Sequence, residues 1–353
     1  MYTILVINPG STTTKLGILE NEKFVYEHTM EHTSDYDNED IKETISMRTN
    51  DIKGFMESKG YKREDFSAIA CRGGILPPLP GGTYIVNEDM VDYLLYQSPV
   101  DHPSNYAAPI GMELSQKRLP VFITDPISTD EFIDEARLSG MPQIQRLSLL
   151  HTLNMRAVSH KVAKAFGKNI NELNMVVAHL GGGISVGLLL KGRFVDVNNA
   201  TGEGPFSANR TGELPVGDLA RKCFSKEYTK KELLKRYTKE GGLKAYLGTD
   251  SLKEALKNTD DFSRLVIDAM AYQVSKEIGG MCAVAGGKID AIVLTGGMAY
   301  SSSFVEKIKS YIAKFGLVVT EPGEHEMLAL AQGAIRVLNK TETPKTFSLE
   351  ELV

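Results

Sequence analysis

The 353-residue chain is poor in cysteine: Cys71, Cys223 and Cys282 lie far apart and without metal-ligand spacing. Neither a zinc site nor a disulfide framework is indicated. A basic excess is also missing. The formal net charge is −5, which argues against a nucleic-acid binder. The most basic stretch, residues 221–244, is interleaved with Glu227, Glu232 and Glu240 and reads as a solvated helical face. No apolar run reaches membrane-spanning length, and the first one has no basic region before it and is interrupted early by Pro9-Gly10. The expectation is a cytoplasmic protein with neither nucleic acid nor membrane as partner. With 42% hydrophobic and 24% charged residues, the composition is that of a globular chain whose length predicts two domains.

What is present begins at residues 3–19, TILVINPGSTTTKLGIL. An apolar strand, a small polar turn and a second apolar strand predict a β-hairpin. The turn holds one glycine, four consecutive hydroxyls and Lys15, with no large side chain to shield its backbone. Exposed N–H groups, hydroxyls and an ammonium suit a polyanion such as a nucleotide triphosphate. It is not a Walker A loop, because Lys15 has no preceding glycine and is followed by Leu16. An ordinary Ser/Thr-rich hairpin stays open at this point.

Along the chain, 20–31 reads as a further strand and 37–60 as a helix, and 66–71 is a strand ending in Arg72-Gly73-Gly74. Residues 75–84, with three prolines and two glycines, predict a loop. A helix near 110–116 and a strand over 120–124 precede Asp125-Pro126. Apolar spacing predicts a helix over 145–166, with His151 on or near its apolar stripe. Residues 175–190 then repeat the opening theme: strand, glycine turn HLGGG, strand. Two such hairpins about 170 residues apart suggest a structural duplication. A long helix over 262–281 follows, capped by Asp260 or Asp261. A strand over 289–294 ends in TGGM, and helices over 304–315 and 327–338 flank a short strand over 317–319. The tail, 339–353, is polar and reads as less ordered. Alternating strands and helices give an α/β protein.

NPGSTTTK, HLGGGISVG and LTGGM, in this order, resemble the phosphate-1, phosphate-2 and adenosine loops of the acetate and sugar kinase, heat-shock chaperone and actin superfamily. That resemblance implies two ribonuclease-H-like domains with ATP and a metal in an interdomain active-site cleft. The domains would be 1–148, completed by the C-terminal helix within 327–353, and 149–326. Within the superfamily the chain resembles the acetokinase family, which phosphorylates small carboxylates. NNATGEGPFSANRTGELP and EPGEHEMLALAQGA resemble its butyrate kinase branch more than its acetate kinase branch.

The resemblance implies roles residue by residue. Asn8, Gly10, Ser11, Thr12 and Lys15 would hold nucleotide phosphates, as would His179, Gly181, Gly182 and Gly183, with Gly296 and Gly297 on the adenosine side. Arg72 and Arg210 match the family's catalytic arginines, His102 and His151 its histidines, and Asp125 the aspartate that positions Mg²⁺. Acetate kinases carry a glutamate after the adenosine loop, where this chain has Ala299, Tyr300 and Ser301. Glu203, Glu213 or Glu326 would have to replace it. The family's acetate pocket has a valine and a phenylalanine where this chain has Gly74 and Leu150, which predicts a deeper pocket for a four-carbon acid. A homo-oligomer is also implied.

The chemistry agrees with those residue types. A carboxylate is already ionised near neutral pH, so phosphorylating it needs charge neutralisation and positioning, and no general base. Guanidinium groups fit planar oxyanions, and Mg²⁺ usually keeps several waters. An assembly ATPase would share the three loops but gives Arg72, His102, His151 and Arg210 no role. A sugar kinase would need a base for a neutral hydroxyl, for which Asp125 is the candidate. Acetate or propionate stays open as the acid.

Overall fold

The computed structural model describes residues 1–32 and 41–350. They divide into two compact units, Met1–Thr129 with His325–Val353, and Asp130–Glu324. The described strands are β1 (Thr3–Pro9), β2 (Thr13–Glu20), β3 (Lys23–Glu31), β4 (Ala68–Cys71), β5 (Thr83–Ile85), β6 (Val121–Thr124), β7 (Asn174–Leu180), β8 (Ile184–Leu190), β9 (Arg193–Val197), β10 (Ala291–Gly296), β11 (Val318–Pro322) and β12 (Lys345–Thr346).

The first unit holds a sheet in the order β12-β5-β6-β4-β1-β2-β3, and the second a sheet in the order β11-β10-β7-β8-β9. In each, an antiparallel three-stranded meander (β1-β2-β3, β7-β8-β9) continues through its first strand into parallel neighbours, β4 and β6 in one and β10 and β11 in the other. The strands β4, β6 and β10 are buried along their whole length, as parallel strands covered on both faces must be. That is why they read as continuous apolar runs and not as alternating ones.

The duplication extends to single residues. Val6 pairs with Gly17 and Val177 with Gly187. A Cβ on Gly17 would lie 2.8 Å from the Phe24 ring, and one on Gly187 3.0 Å from the Phe194 ring. Each glycine is followed by a register shift, between Ile18 and Leu19 in one meander and between Leu188 and Leu189 in the other. Both sheets therefore bend at the same point and tuck an aromatic ring over a glycine there.

Three expectations need correction. The helix expected over 145–166 begins only at Thr152 and runs to Ala165. The preceding segment is irregular and tied down elsewhere: the Arg146 N–H donates to the Arg137 carbonyl and the Arg146 guanidinium to the carbonyls of Ala136 and Val197. The tail is docked as far as it is described: β12 pairs with β5, Phe347 is buried, and its carbonyl accepts from Asn87 Nδ2 at 2.7 Å. The loop expected over 75–84 runs into β5 at Thr83. The first helix is Ile41–Ser58, and residues 37–40 of the helix expected over 37–60 lie outside the described residues. Asp260 caps the long helix Asp261–Val284, accepting from the Ser263 N–H at 2.9 Å. No helix among the described residues is long and apolar enough to cross a membrane.

Candidate active site

In the first unit, Asn8, Arg72 and Asp125 stand at the carboxyl ends of the parallel strands β1, β4 and β6, the edge at which open α/β sheets place ligands. Asn8 lies opposite Lys15 in the β1–β2 register. The turn between them is closed by the Gly10 N–H on the Thr13 carbonyl at 2.6 Å, with Ser11 and Thr12 exposed.

The turn is braced from behind by Arg48, a buried residue of the helix Ile41–Ser58. Its guanidinium donates to the carbonyls of Gly10 and Ser11, both at 3.0 Å, and to Thr14 Oγ1 at 3.4 Å. Thr14 Oγ1 also meets His32 Nε2 at 2.7 Å. Burial, and then the Arg48 charge, hold the His32 imidazole below the usual histidine range. Sequence reading missed Arg48, since an arginine in an amphipathic helix reads as a surface residue.

Glu326 joins two of the expected site residues. Its carboxylate is 2.6 Å from Arg72 Nη1 and accepts from Asn8 Nδ2 at 3.3 Å. The other two candidates are engaged elsewhere: Glu203 pairs with Arg146 and caps the Asn199 N–H, and Glu213 pairs with Lys276 on the surface. His102 Nδ1 accepts from the Ser104 N–H at 3.2 Å, which puts the neutral ring's proton on Nε2. Burial, and next the Arg72 charge, lower its pKa.

Asp125 has φ 44°, a left-handed conformation that aspartate tolerates. Its Oδ1 accepts from the Gly82 N–H at 2.7 Å, while its own N–H donates to the Gly82 carbonyl at 3.0 Å. Gly73 packs on Pro126, where a Cβ would come within 2.6 Å, so the Arg72 turn and the Asp125 turn lie side by side.

The space beside Gly74 is filled by protein. A Cβ there would lie 2.5 Å from Leu94 Cδ2 and 2.7 Å from Asn105 Oδ1, so the room a larger residue would fill is already occupied. Asn105 is itself tied to the Ile75 N–H at 2.8 Å. Leu150 belongs to the buried core cluster of Phe132, Met155 and Leu189. A Gly74→Val variant is therefore expected to lose about 1–3 kcal/mol of stability through overpacking. It should also lose activity on every acid alike. Urea unfolding and a panel of acids check this, and a stable variant shifted towards shorter acids would overturn it.

In the second unit, His151, His179, Gly181–Gly183, Gly296 and Arg210 come together. His151 is the N-cap residue of the helix Thr152–Ala165, and its Nδ1 lies 2.9 Å from Ser185 Oγ. Its ring stacks on that of His179, with centroids 3.9 Å apart and planes 9° from parallel. His179 is 1% exposed. Its Nδ1 meets Asn154 Oδ1 at 2.8 Å, and its Nε2 lies 3.0 Å from Glu324 Oε1, outside hydrogen-bond alignment. Both ring nitrogens thus lie against protein groups. Gly296, with φ 88°, brings the TGGM turn against the end of β7, where a Cβ would lie 2.5 Å from the Leu180 carbonyl oxygen.

Arg210 lies directly on the HLGGG turn. A Cβ on Gly183 would be 2.5 Å from its Nη1. Ser207 fixes the arrangement, accepting from the Arg210 N–H and donating to the Gly182 carbonyl. The Arg210 guanidinium donates to the Ala200 carbonyl at 2.9 Å, yet no carboxylate among the described residues pairs with it. Burial alone lowers its pKa. A half-buried cation on a glycine turn, with no carboxylate partner among the described residues, leaves its charge uncompensated by protein.

The family model described as "Acetokinase family" matches residues 143–346, more than half of the chain. A probable butyrate kinase of Thermotoga maritima is 52% identical over 348 residues, 97% of each chain. The chain belongs to the acetokinase family. A probable butyrate kinase of Clostridium botulinum is 44% identical over 357 residues, covering 98% of this chain and 99% of that one. Among solved structures, an acetate kinase of Porphyromonas gingivalis superposes with a TM-score of 0.79 at 16% identity, covering 96% of this chain and all of that one. A propionate kinase of Francisella tularensis superposes at 0.72 and 19%, covering 94% and 99%. These two carry the fold. As a family member, the chain is an ATP-dependent carboxylate kinase.

Proposed function

We propose that the chain transfers the γ-phosphoryl group of ATP reversibly to butyrate or a branched four-carbon acid, with Mg²⁺, and that the residues gathered above carry the reaction. The observation that supports this best is Arg210, a half-buried guanidinium resting on a glycine turn with no carboxylate partner. The names borne by the relatives at 44–52% identity favour the four-carbon acid. The expected homo-oligomer stays part of the proposal.

The carboxylate oxygen of the acid attacks the γ-phosphorus. The bond from that phosphorus to the β–γ bridging oxygen breaks, and its electron pair leaves with ADP. No proton moves, so no base is required. Arg72 and Arg210 neutralise the acid and the equatorial phosphoryl oxygens. With Nδ1 on Ser185, donation by His151 to the moving group falls to Nε2. His102 donates through Nε2 in the same way. The Ser11 and Thr12 hydroxyls and the Gly181–Gly183 turn hold the nucleotide phosphates, and Lys15 adds charge. Gly297, next to Gly296, borders the adenosine.

Asp125 and Glu326 are the oxygen donors that fit Mg²⁺, which takes one or two carboxylates and keeps its waters. No cluster of three or more His, Cys, Asp or Glu side chains among the described residues offers an all-protein cage. Mg²⁺ in such a place supplies neutralisation of the phosphate charge.

The test is hydroxylamine trapping with Mg-ATP and acetate, propionate, butyrate, isobutyrate and valerate, each assayed separately. The strongest hydroxamate signal is expected with a four-carbon acid. Acetate or propionate leading would overturn the substrate assignment, and no hydroxamate from any acid would overturn the reaction.

A further inference from the structure

We infer that His179 and Asn154 are positioning residues for His151: they hold its imidazole in one plane and one rotation. This rests on the proposed role of His151. The chain of contacts starts at a backbone carbonyl. Asn154 Nδ2 donates to the Gly323 carbonyl at 3.1 Å, which turns Oδ1 towards His179. Thr295 Oγ1 lies 3.3 Å from both that Oδ1 and the Gly323 carbonyl, so its one hydrogen is shared between the two acceptors on this side of the amide. An amide oxygen accepts only, so His179 Nδ1 must carry a hydrogen at the 2.8 Å contact. The hydrogen at Nδ1 and the Asn154 amide together give the His179 ring one orientation.

His151 lies on that ring at 3.9 Å and 9°. Stacking sets its plane, and the 2.9 Å contact of its Nδ1 with Ser185 Oγ sets its rotation within the plane. Asn154, His179, Ser185 and Thr295 are all buried and stand on the helix Thr152–Ala165 and on β7, β8 and β10. A donor held by regular elements, and not by a loop, meets its target without reorganising at the moment of reaction. His179 thus acts on the reaction through another side chain. Its burial is the reason it cannot do so directly.

The experiment is a double-mutant cycle on the full-length enzyme, comparing His151→Ala, His179→Gln and their combination, with Asn154→Leu and Asn154→Asp as a second pair. His179→Gln is expected to lower kcat about 10²-fold, the size of effect that misplacing a reacting group produces. The KM values for ATP and for the acid should stay within about twofold. In the His151→Ala background the same change should have no further effect on kcat, because the group being positioned is gone. Asn154→Asp, which keeps an acceptor oxygen, should retain more of kcat than Asn154→Leu. ¹⁵N-histidine spectra should show His151 passing from one fixed tautomer to an averaged one in both His179→Gln and Asn154→Leu.

Losses of kcat that add in the double mutant would overturn the inference, as would a raised KM for ATP with kcat intact. Full activity in His151→Ala would instead overturn the role given to His151. If His179→Gln does not fold, the Asn154 pair and its spectra decide alone.

Discussion

Arg210→Met is expected to lower kcat/KM about 10³-fold, the upper range for removing one preorganised donor to developing charge. Stability should move little. The guanidinium is partly desolvated without a carboxylate to offset it, so removing its charge relieves a cost even as the bond to the Ala200 carbonyl is lost. Calorimetry should place the variant within about 1 kcal/mol of the parent. A second readout tests the anion site apart from turnover. Inorganic phosphate that binds the native state raises its melting temperature, and that rise should disappear in Arg210→Met. A variant that keeps its phosphate response would place the anion elsewhere. A large loss of stability would make Arg210 a structural residue.

Arg48→Met is expected to act on the opposite quantities. The buried guanidinium satisfies two carbonyls of the nucleotide turn and supports Thr14. Its loss leaves those oxygens without their charged donor, at a cost of about 2–4 kcal/mol. The turn loosens, so the KM for ATP should rise about tenfold or more while the KM for the acid changes little. Arg48→Lys should fall between the two, because one ammonium cannot bridge both carbonyls as a planar fork does. Chemical denaturation and steady-state kinetics at varied ATP measure both. An unchanged KM for ATP in a folded variant would remove Arg48 from the site's support.

These two arginines show why one was legible in the chain and the other was not. Arg210 sits in a run of small, polar and turn-forming residues, GPFSANRTGELP, which resembles a family motif. Arg48 sits in an unremarkable helical pattern, and its importance comes from carbonyls 37 and 38 residues away in sequence. Glu326 is a similar case. Three glutamates were open candidates, and the choice among them needed to know which one lies beside Asn8 and Arg72.

The sequence by itself determined the α/β class, the repeated strand–glycine turn–strand theme and the family. Each depends on local pattern: β-branched runs, turn chemistry and motif spacing. Only the tertiary structure decided what faces what. It showed that the volume beside Gly74 is filled by Leu94 and Asn105, and that His179 is buried between Asn154, His151 and Glu324. It also showed that a polar tail docks as a strand. Periodicity gives the face of an element and motif gives the type of turn, but neither carries the distance between residues far apart in the chain. That distance is set by how helices and strands pack within each unit, and it decides whether a side chain meets a ligand or another side chain.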